Sequence, residues 1–103
     1  MKNIQKRVRE FCEKNNLESP PEYRLLDTFS ELGEVAKEIL KMTDYGRKPM
    51  EFREEMKSEL GDALYSLITV ANSFDIDLEQ ALEMVLEKYE KRIKKGGAGS
   101  END

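Results

Sequence analysis

A bundle of four helices, with no sheet, is the fold class this sequence predicts. Apolar residues recur at helical spacing in four segments, cap and turn residues separate those segments, and no stretch alternates with the strand period. The first helix runs from about Asn3 to Lys14, with Ile4, Val8 and Phe11 on one face, and Asn15-Asn16 ends it. The second opens at Ser19-Pro20-Pro21-Glu22, where Ser19 is expected to cap, proline to fit the first turn, and Glu22 to complete a reciprocal capping box. It continues through Leu25, Leu26, Phe29, Leu32, Val35, Ala36, Ile39 and Leu40 to about Met42, and the turn-rich segment Thr43–Pro49 stops it. The third spans about Met50 to Asn72, carrying Phe52, Met56, Leu60, Ala63, Leu64, Leu67 and Ala71. Asp77 with Gln80 forms a second capping box and opens a fourth helix that reaches about Lys95. Residues 1–95 thus read as one helical domain, and 96–103, rich in glycine, serine and acids with nothing to bury, as a flexible tail.

A chain of 103 residues hides only about 65% of the surface its unfolded form exposes, so its core is thin and self-association is expected. The net charge of −5, with no basic run before Lys94-Lys95, argues against a nucleic-acid polymer as partner, because such binding rests on many phosphate contacts. An acidic protein can still take a phosphate compound if divalent metal lies between them. With no histidine and Cys12 as the only cysteine, neither a disulfide framework nor a zinc site of the usual ligands can be assembled, so any metal is a hard cation held by oxygen. The N-terminal residues hold no apolar stretch of signal-peptide length and no segment approaches a membrane span, which leads to the expectation of a soluble cytoplasmic protein.

The 22 acids among 103 residues give about five acid pairs at i,i+3 spacing by chance alone, and five occur, so such a pair is not by itself evidence for metal. Two of them differ from the rest. Ser30-Glu31-Leu32-Gly33-Glu34 and Ser58-Glu59-Leu60-Gly61-Asp62 repeat the same pentapeptide pattern. On ordinary helix surfaces an acid tends to have a base four residues on, as in Glu10 with Lys14, Glu87 with Lys91 and Glu90 with Lys94; beyond Glu31, Glu34, Glu59 and Asp62 stand Val35, Glu38, Ala63 and Ser66, although Glu34 could still reach Lys37 three residues on. If the two helices pack antiparallel with their apolar stripes facing, the four carboxylates converge at the rim of the core and supply the oxygen ligands that magnesium prefers. Gly33 and Gly61 each cost about 1 kcal/mol relative to alanine inside a helix, which suggests that the two backbones approach closely beside the acids.

The spacing E-x-x-E followed by E-x-x-D on the second and third helices of a short helical chain resembles the MazG family of nucleotide pyrophosphohydrolases. The segments SELGEVAKEILK, SELGDALYSLITVAN and IDLEQALEMVLEKYEKRIKK each resemble the corresponding part of that family. The resemblance implies a MazG-type four-helix bundle that works as a homodimer or homotetramer. It implies hydrolysis of nucleoside triphosphates, ribo or deoxy, to the monophosphate and pyrophosphate, in the service of nucleotide-pool housecleaning. It further implies two or more magnesium ions, or manganese in their place, on Glu31, Glu34, Glu59 and Asp62. Lys88, Lys91 and Arg92 fall where the family's basic cluster handles the phosphates; the alternative is a solvated helix end favoured by the helix dipole. Glu38, one turn beyond Glu34, could orient the attacking water, act as a further ligand, or do neither. Tyr65 could line a base pocket or pack at the core's edge, and Asn72 could donate to a base or end the third helix.

Two rival functions follow from the same residues. The phosphoribosyl-ATP pyrophosphohydrolase of histidine biosynthesis resembles this pattern in fold and acid motif. A non-catalytic helical interaction or metal-binding module would use the acids as surface charge and the apolar stripes as a dimer seam.

Overall fold

The computed structural model describes residues 2–96 and contains four helices: α1 Lys2–Lys14, α2 Pro21–Met42, α3 Glu55–Ser73 and α4 Leu78–Lys94, with no strand among the described residues. The expected fold class is therefore observed. Residues 97–103, most of the segment expected as a tail, lie outside the described residues, and Gly96, at φ 84°, closes α4 in the left-handed region that glycine enters at little cost.

Two boundaries depart from expectation. At the start of α2 the cap position is Pro20, which makes no side-chain cap bond, and Ser19 does not form the expected capping box; Pro21 at the first position fixes the entry instead. Helix α3 begins at Glu55 rather than Met50. The chain leaves α2 through a left-handed turn at Asp44, Tyr45 and Gly46, the Glu51 N–H returns to the Met42 carbonyl at 3.0 Å, and Arg53 is drawn toward Glu38, so residues 50–53 stay non-helical. At α4 the expected cap is present, with the Asp77 carboxylate accepting from the Glu79 and Gln80 N–H groups at 3.0 and 3.3 Å.

Helices α2 and α3 pack along their length and α1 packs on α3, whereas α4 makes at most marginal contact with the others and buries no residue. The α2–α3 pair is antiparallel, since Glu38 meets Arg53 at one end while Arg24 shares a cavity with Thr69 and Ser73 at the other. Gln5 of α1 latches onto the α3–α4 corner. Its side-chain amide donates to the Asn72 side chain and the Ile76 carbonyl, and its carbonyl accepts from the Leu78 N–H.

The face that α2 turns inward is not the one its hydropathy suggests. The residues of α2 that are not exposed are Pro21, Arg24, Thr28, Glu31, Val35, Glu38 and Met42, an alternating three-four spacing that is mostly polar. Leu25, Phe29, Leu32 and Ile39 form a parallel stripe on the outside, continued on α3 by Leu60, Leu64 and Leu67. Accordingly the expectation that the apolar stripes of α2 and α3 face each other within the chain is corrected. The buried apolar residues are Cys12, Met42, Ala63, Ile68 and Ala71, with Gln5, Thr28, Glu38, Ser66 and Thr69 buried beside them. A radius of gyration of 17.0 Å, against about 13 Å for a compact domain of this length, fits a chain whose layers are spread rather than closed. No helix among the described residues is long and apolar enough to cross a membrane.

Candidate metal centre

The inward stripe of α2 carries Glu31 to a point opposite Glu59 and Asp62, one helical turn apart on α3. One carboxylate oxygen from each of the three lies within 4.8 Å of the others. None of the three is in an ion pair with a lysine or arginine of the described residues. Like charges held this close without a counter-charge disfavour ionisation. The Glu31 carboxyl is raised above its ordinary value, first by its partial burial in the α2–α3 groove and then by the charges of Asp62, Glu59, Glu34 and Asp27. Three hard oxygen donors at this separation, with no lysine or arginine of the described residues paired to them, suit a divalent cation of the magnesium or manganese type.

The raised Glu31 pKa has a consequence for stability. Because the folded state binds the Glu31 proton more tightly than the unfolded state does, this group's contribution is most favourable below its unfolded pKa and is lost as pH rises through its folded pKa. Glu31→Gln is therefore expected to raise the melting temperature of the metal-free protein at neutral pH and to lose that advantage on the acid side of the carboxylate range. Paired melting curves from neutral to acid pH test this, and an advantage that grows toward acid would refute it.

The remaining sequence-predicted residues are not all brought to this cluster. Glu34 is exposed and lies outside the group of three, although near enough to raise the Glu31 pKa. The Glu38 side chain is only 5% exposed and accepts a short hydrogen bond from Arg53 Nε. It is thus engaged as a structural ion pair that ties the end of α2 to the approach to α3, not held as a free base or extra ligand. The Tyr65 hydroxyl lies 3.3 Å from Cys12 Sγ and its ring meets Phe11 edge to face, with centroids 6.2 Å apart, so it packs toward α1. That hydrogen bond and then burial raise the Tyr65 pKa. The Asn72 side chain is spent on Gln5, accepting from its amide at 3.2 Å and donating to its main-chain carbonyl at 3.0 Å. Lys88, Lys91 and Arg92 ride on α4, where the Lys88 ammonium and the Arg92 guanidinium flank the Tyr89 ring at 5.5 and 5.8 Å. Arg53, which ties the end of α2 to the approach to α3, and Gln5, which holds the α3–α4 corner to α1, carry no signal in the sequence pattern, because their partners lie far away along the chain.

Carboxylates gathered from two antiparallel helices, with basic residues on a further helix, are an arrangement that metal-assisted enzymes acting on phosphate compounds can use. The comparisons narrow this. The profile of the MazG nucleotide pyrophosphohydrolase domain matches residues 19–96. The uncharacterized protein YpjD of Bacillus subtilis (strain 168) is 45% identical over 67 residues, a match covering 62% of this chain and 59% of YpjD. A crystal structure of Bacillus subtilis YpjD superposes with a TM-score of 0.73 at 35% identity over 89% of this chain and 94% of that one. That of the Bacillus-conserved MazG protein, a nucleotide pyrophosphohydrolase, superposes with a TM-score of 0.72 at 31% identity over 85% and 86%. The chain belongs to the MazG nucleotide pyrophosphohydrolase family.

Proposed function

We propose that residues 1–95 act as one domain that hydrolyses ribo- or deoxyribonucleoside triphosphates to the monophosphate and pyrophosphate in the cytoplasm, with magnesium, as a means of clearing unwanted nucleotides. The observation that carries this reading is the convergence of Glu31, Glu59 and Asp62 with no ion pair to a lysine or arginine of the described residues. In the reaction the oxygen of water adds to the α-phosphorus. The bond from that phosphorus to the bridging oxygen breaks, and the bridging oxygen leaves as part of pyrophosphate. The magnesium supplies neutralisation of the triphosphate and polarisation of a phosphoryl oxygen when bound. Glu31, Glu59 and Asp62, joined by Glu34, would hold two or more such ions, and with Glu38 committed to Arg53 the water's proton would pass to a carboxylate of the cluster.

The working form in this reading is a homodimer or homotetramer. The exposed stripe of α2 and α3 is covered by a second copy, and Lys88, Lys91 and Arg92 stabilise the leaving pyrophosphate in an active site built between copies, since α4 does not pack on its own α2–α3 pair. The test is a product assay over the common nucleoside triphosphates, scoring pyrophosphate separately from single phosphate. Magnesium-dependent formation of monophosphate plus pyrophosphate, stopped by chelator, is expected. Release of single phosphate, or turnover indifferent to chelator, would reject the reaction as written.

A further inference from the structure

We infer that Gln5 is a positioning residue for the hydrolysis: from α1 it sets the direction of α4, and so the place at which Lys88, Lys91 and Arg92 meet the phosphates. The inference rests on the hydrolase reading and on the role proposed there for those three cations, and adds what aims them.

Helix α4 has little else to direct it. It buries no residue and makes at most marginal contact with α1, α2 and α3. The Lys88 ammonium and the Arg92 guanidinium lie over the Tyr89 ring of the same helix, so these groups move with the helix that carries them. Arg92 lies fourteen residues beyond Leu78, the first residue of α4. That is about 21 Å of helix, and a tilt of about 10° at Leu78 carries Arg92 by roughly 4 Å. A positioned group loses much of its catalytic effect over displacements on the order of 1 Å. The α3–α4 corner is therefore where the aim is decided.

At that corner Gln5 is the buried tie. It is 7% exposed, and its amide is fully engaged. Nε2 donates to Asn72 Oδ1 at 3.2 Å and to the Ile76 carbonyl at 2.7 Å, and Oε1 accepts from the Leu78 N–H at 2.9 Å. The start of an α-helix leaves its first N–H groups without intrahelical acceptors. In α4 the Asp77 carboxylate takes those of Glu79 and Gln80, and Gln5 takes that of Leu78, so the capping of α4 is completed from α1. These N–H groups point back along the helix axis, so an acceptor fixed in α1 constrains the axis itself. The Ile76 carbonyl and the Leu78 N–H stand on either side of Asp77, which gives Gln5 a grip at two points of the chain. Arg9 also reaches the corner, at 3.3 Å from the Asn72 carbonyl and 3.2 Å from the Asp75 carboxylate. The Arg9 and Asp75 side chains are 44% and 87% exposed, so water screens most of their attraction.

Gln5→Met keeps the length of the side chain and removes its amide. It is expected to lower kcat/KM for a magnesium nucleoside triphosphate about ten-fold or more. The assembled form should persist in sedimentation, and magnesium affinity by titration calorimetry should stay as in the wild type, because the carboxylates of α2 and α3 are untouched. In a Lys88→Gln, Arg92→Gln background the same substitution should cost less than about two-fold, because it then has no such charges to misplace. Ile68→Val, a core change that lowers the melting temperature without touching the corner, should leave kcat/KM unaltered. In the wild type, amide exchange at Leu78 should be as slow as at Gln80. An equal loss in both backgrounds, or a folded Gln5→Met protein with wild-type kcat/KM, would overturn the positioning role and leave the hydrolase standing. Rapid exchange at Leu78 beside a protected Gln80 would overturn it even where Gln5→Met fails to fold. Full activity of the Lys88→Gln, Arg92→Gln protein would remove the cations' role and this inference with it. A wild type that turns over no nucleoside triphosphate would overturn the hydrolase reading and the inference together.

Discussion

Asp62→Asn is expected to cost on the order of a thousandfold in magnesium-dependent pyrophosphate release, equivalent to about 4 kcal/mol of transition-state stabilisation. The size follows from the place of Asp62 in the group of three converging carboxylates, where one neutral amide removes both a ligand and a full negative charge. The same substitution relieves repulsion on Glu31, whose carboxyl Asp62 disfavours from ionising more than either neighbouring glutamate does. The metal-free variant should therefore melt no lower than the wild type while losing the upward shift in melting temperature that magnesium gives. Steady-state assays and melting curves with and without magnesium separate the two effects. An active Asp62→Asn protein, or one whose loss of activity simply tracks unfolding, would remove Asp62 from the metal centre.

The sequence and the structure agree where a local rule decides the outcome. The segment carrying Asp77 begins a helix because a carboxylate there satisfies two free N–H groups, and three of the four acids of the repeat, which lack a base four residues on, come together between α2 and α3. Agreement fails where the partner lies far along the chain. Glu38 reads as one more acid beside the motif until Arg53, fifteen residues away, is seen to neutralise it. Asn72 reads as a donor to a base or as a helix end until Gln5, sixty-seven residues away, is seen to hold it. Hydropathy marks the apolar face of α2 but not which face packs on α3: the expectation gives α3 the leucine stripe, whereas α3 takes the neighbouring, mostly polar stripe that contains Glu31. The glycine argument fails for a related reason. A Cβ on Gly33 or Gly61 would meet no atom within 4 Å, so close approach of α2 and α3 within this chain is not what these glycines serve.

A charge in the outward stripe should have the other large effect. Leu64 of α3 continues the row formed by Leu25, Phe29, Leu32 and Ile39 of α2, and Phe29 is 65% exposed in the single chain. A monomer rarely leaves so long a contiguous apolar surface in water, and a two-fold pairing buries the same row from both copies at once. In the proposed assembly Leu64→Glu places two carboxylates in that seam, each facing desolvation that costs several kcal/mol unless it is protonated or paired. The expected result is loss of the assembled species in sedimentation, leaving the 12.0 kDa chain or an unfolded form, and loss of the concentration dependence that assembly gives the wild-type melting transition. Activity should fall with assembly, because the basic residues of α4 reach a carboxylate cluster only between copies in this arrangement. Mixing Leu64→Glu with Asp62→Asn gives no gain in activity if the seam itself is broken, whereas an assembled and active Leu64→Glu protein would move the partner's contact to another face of the molecule.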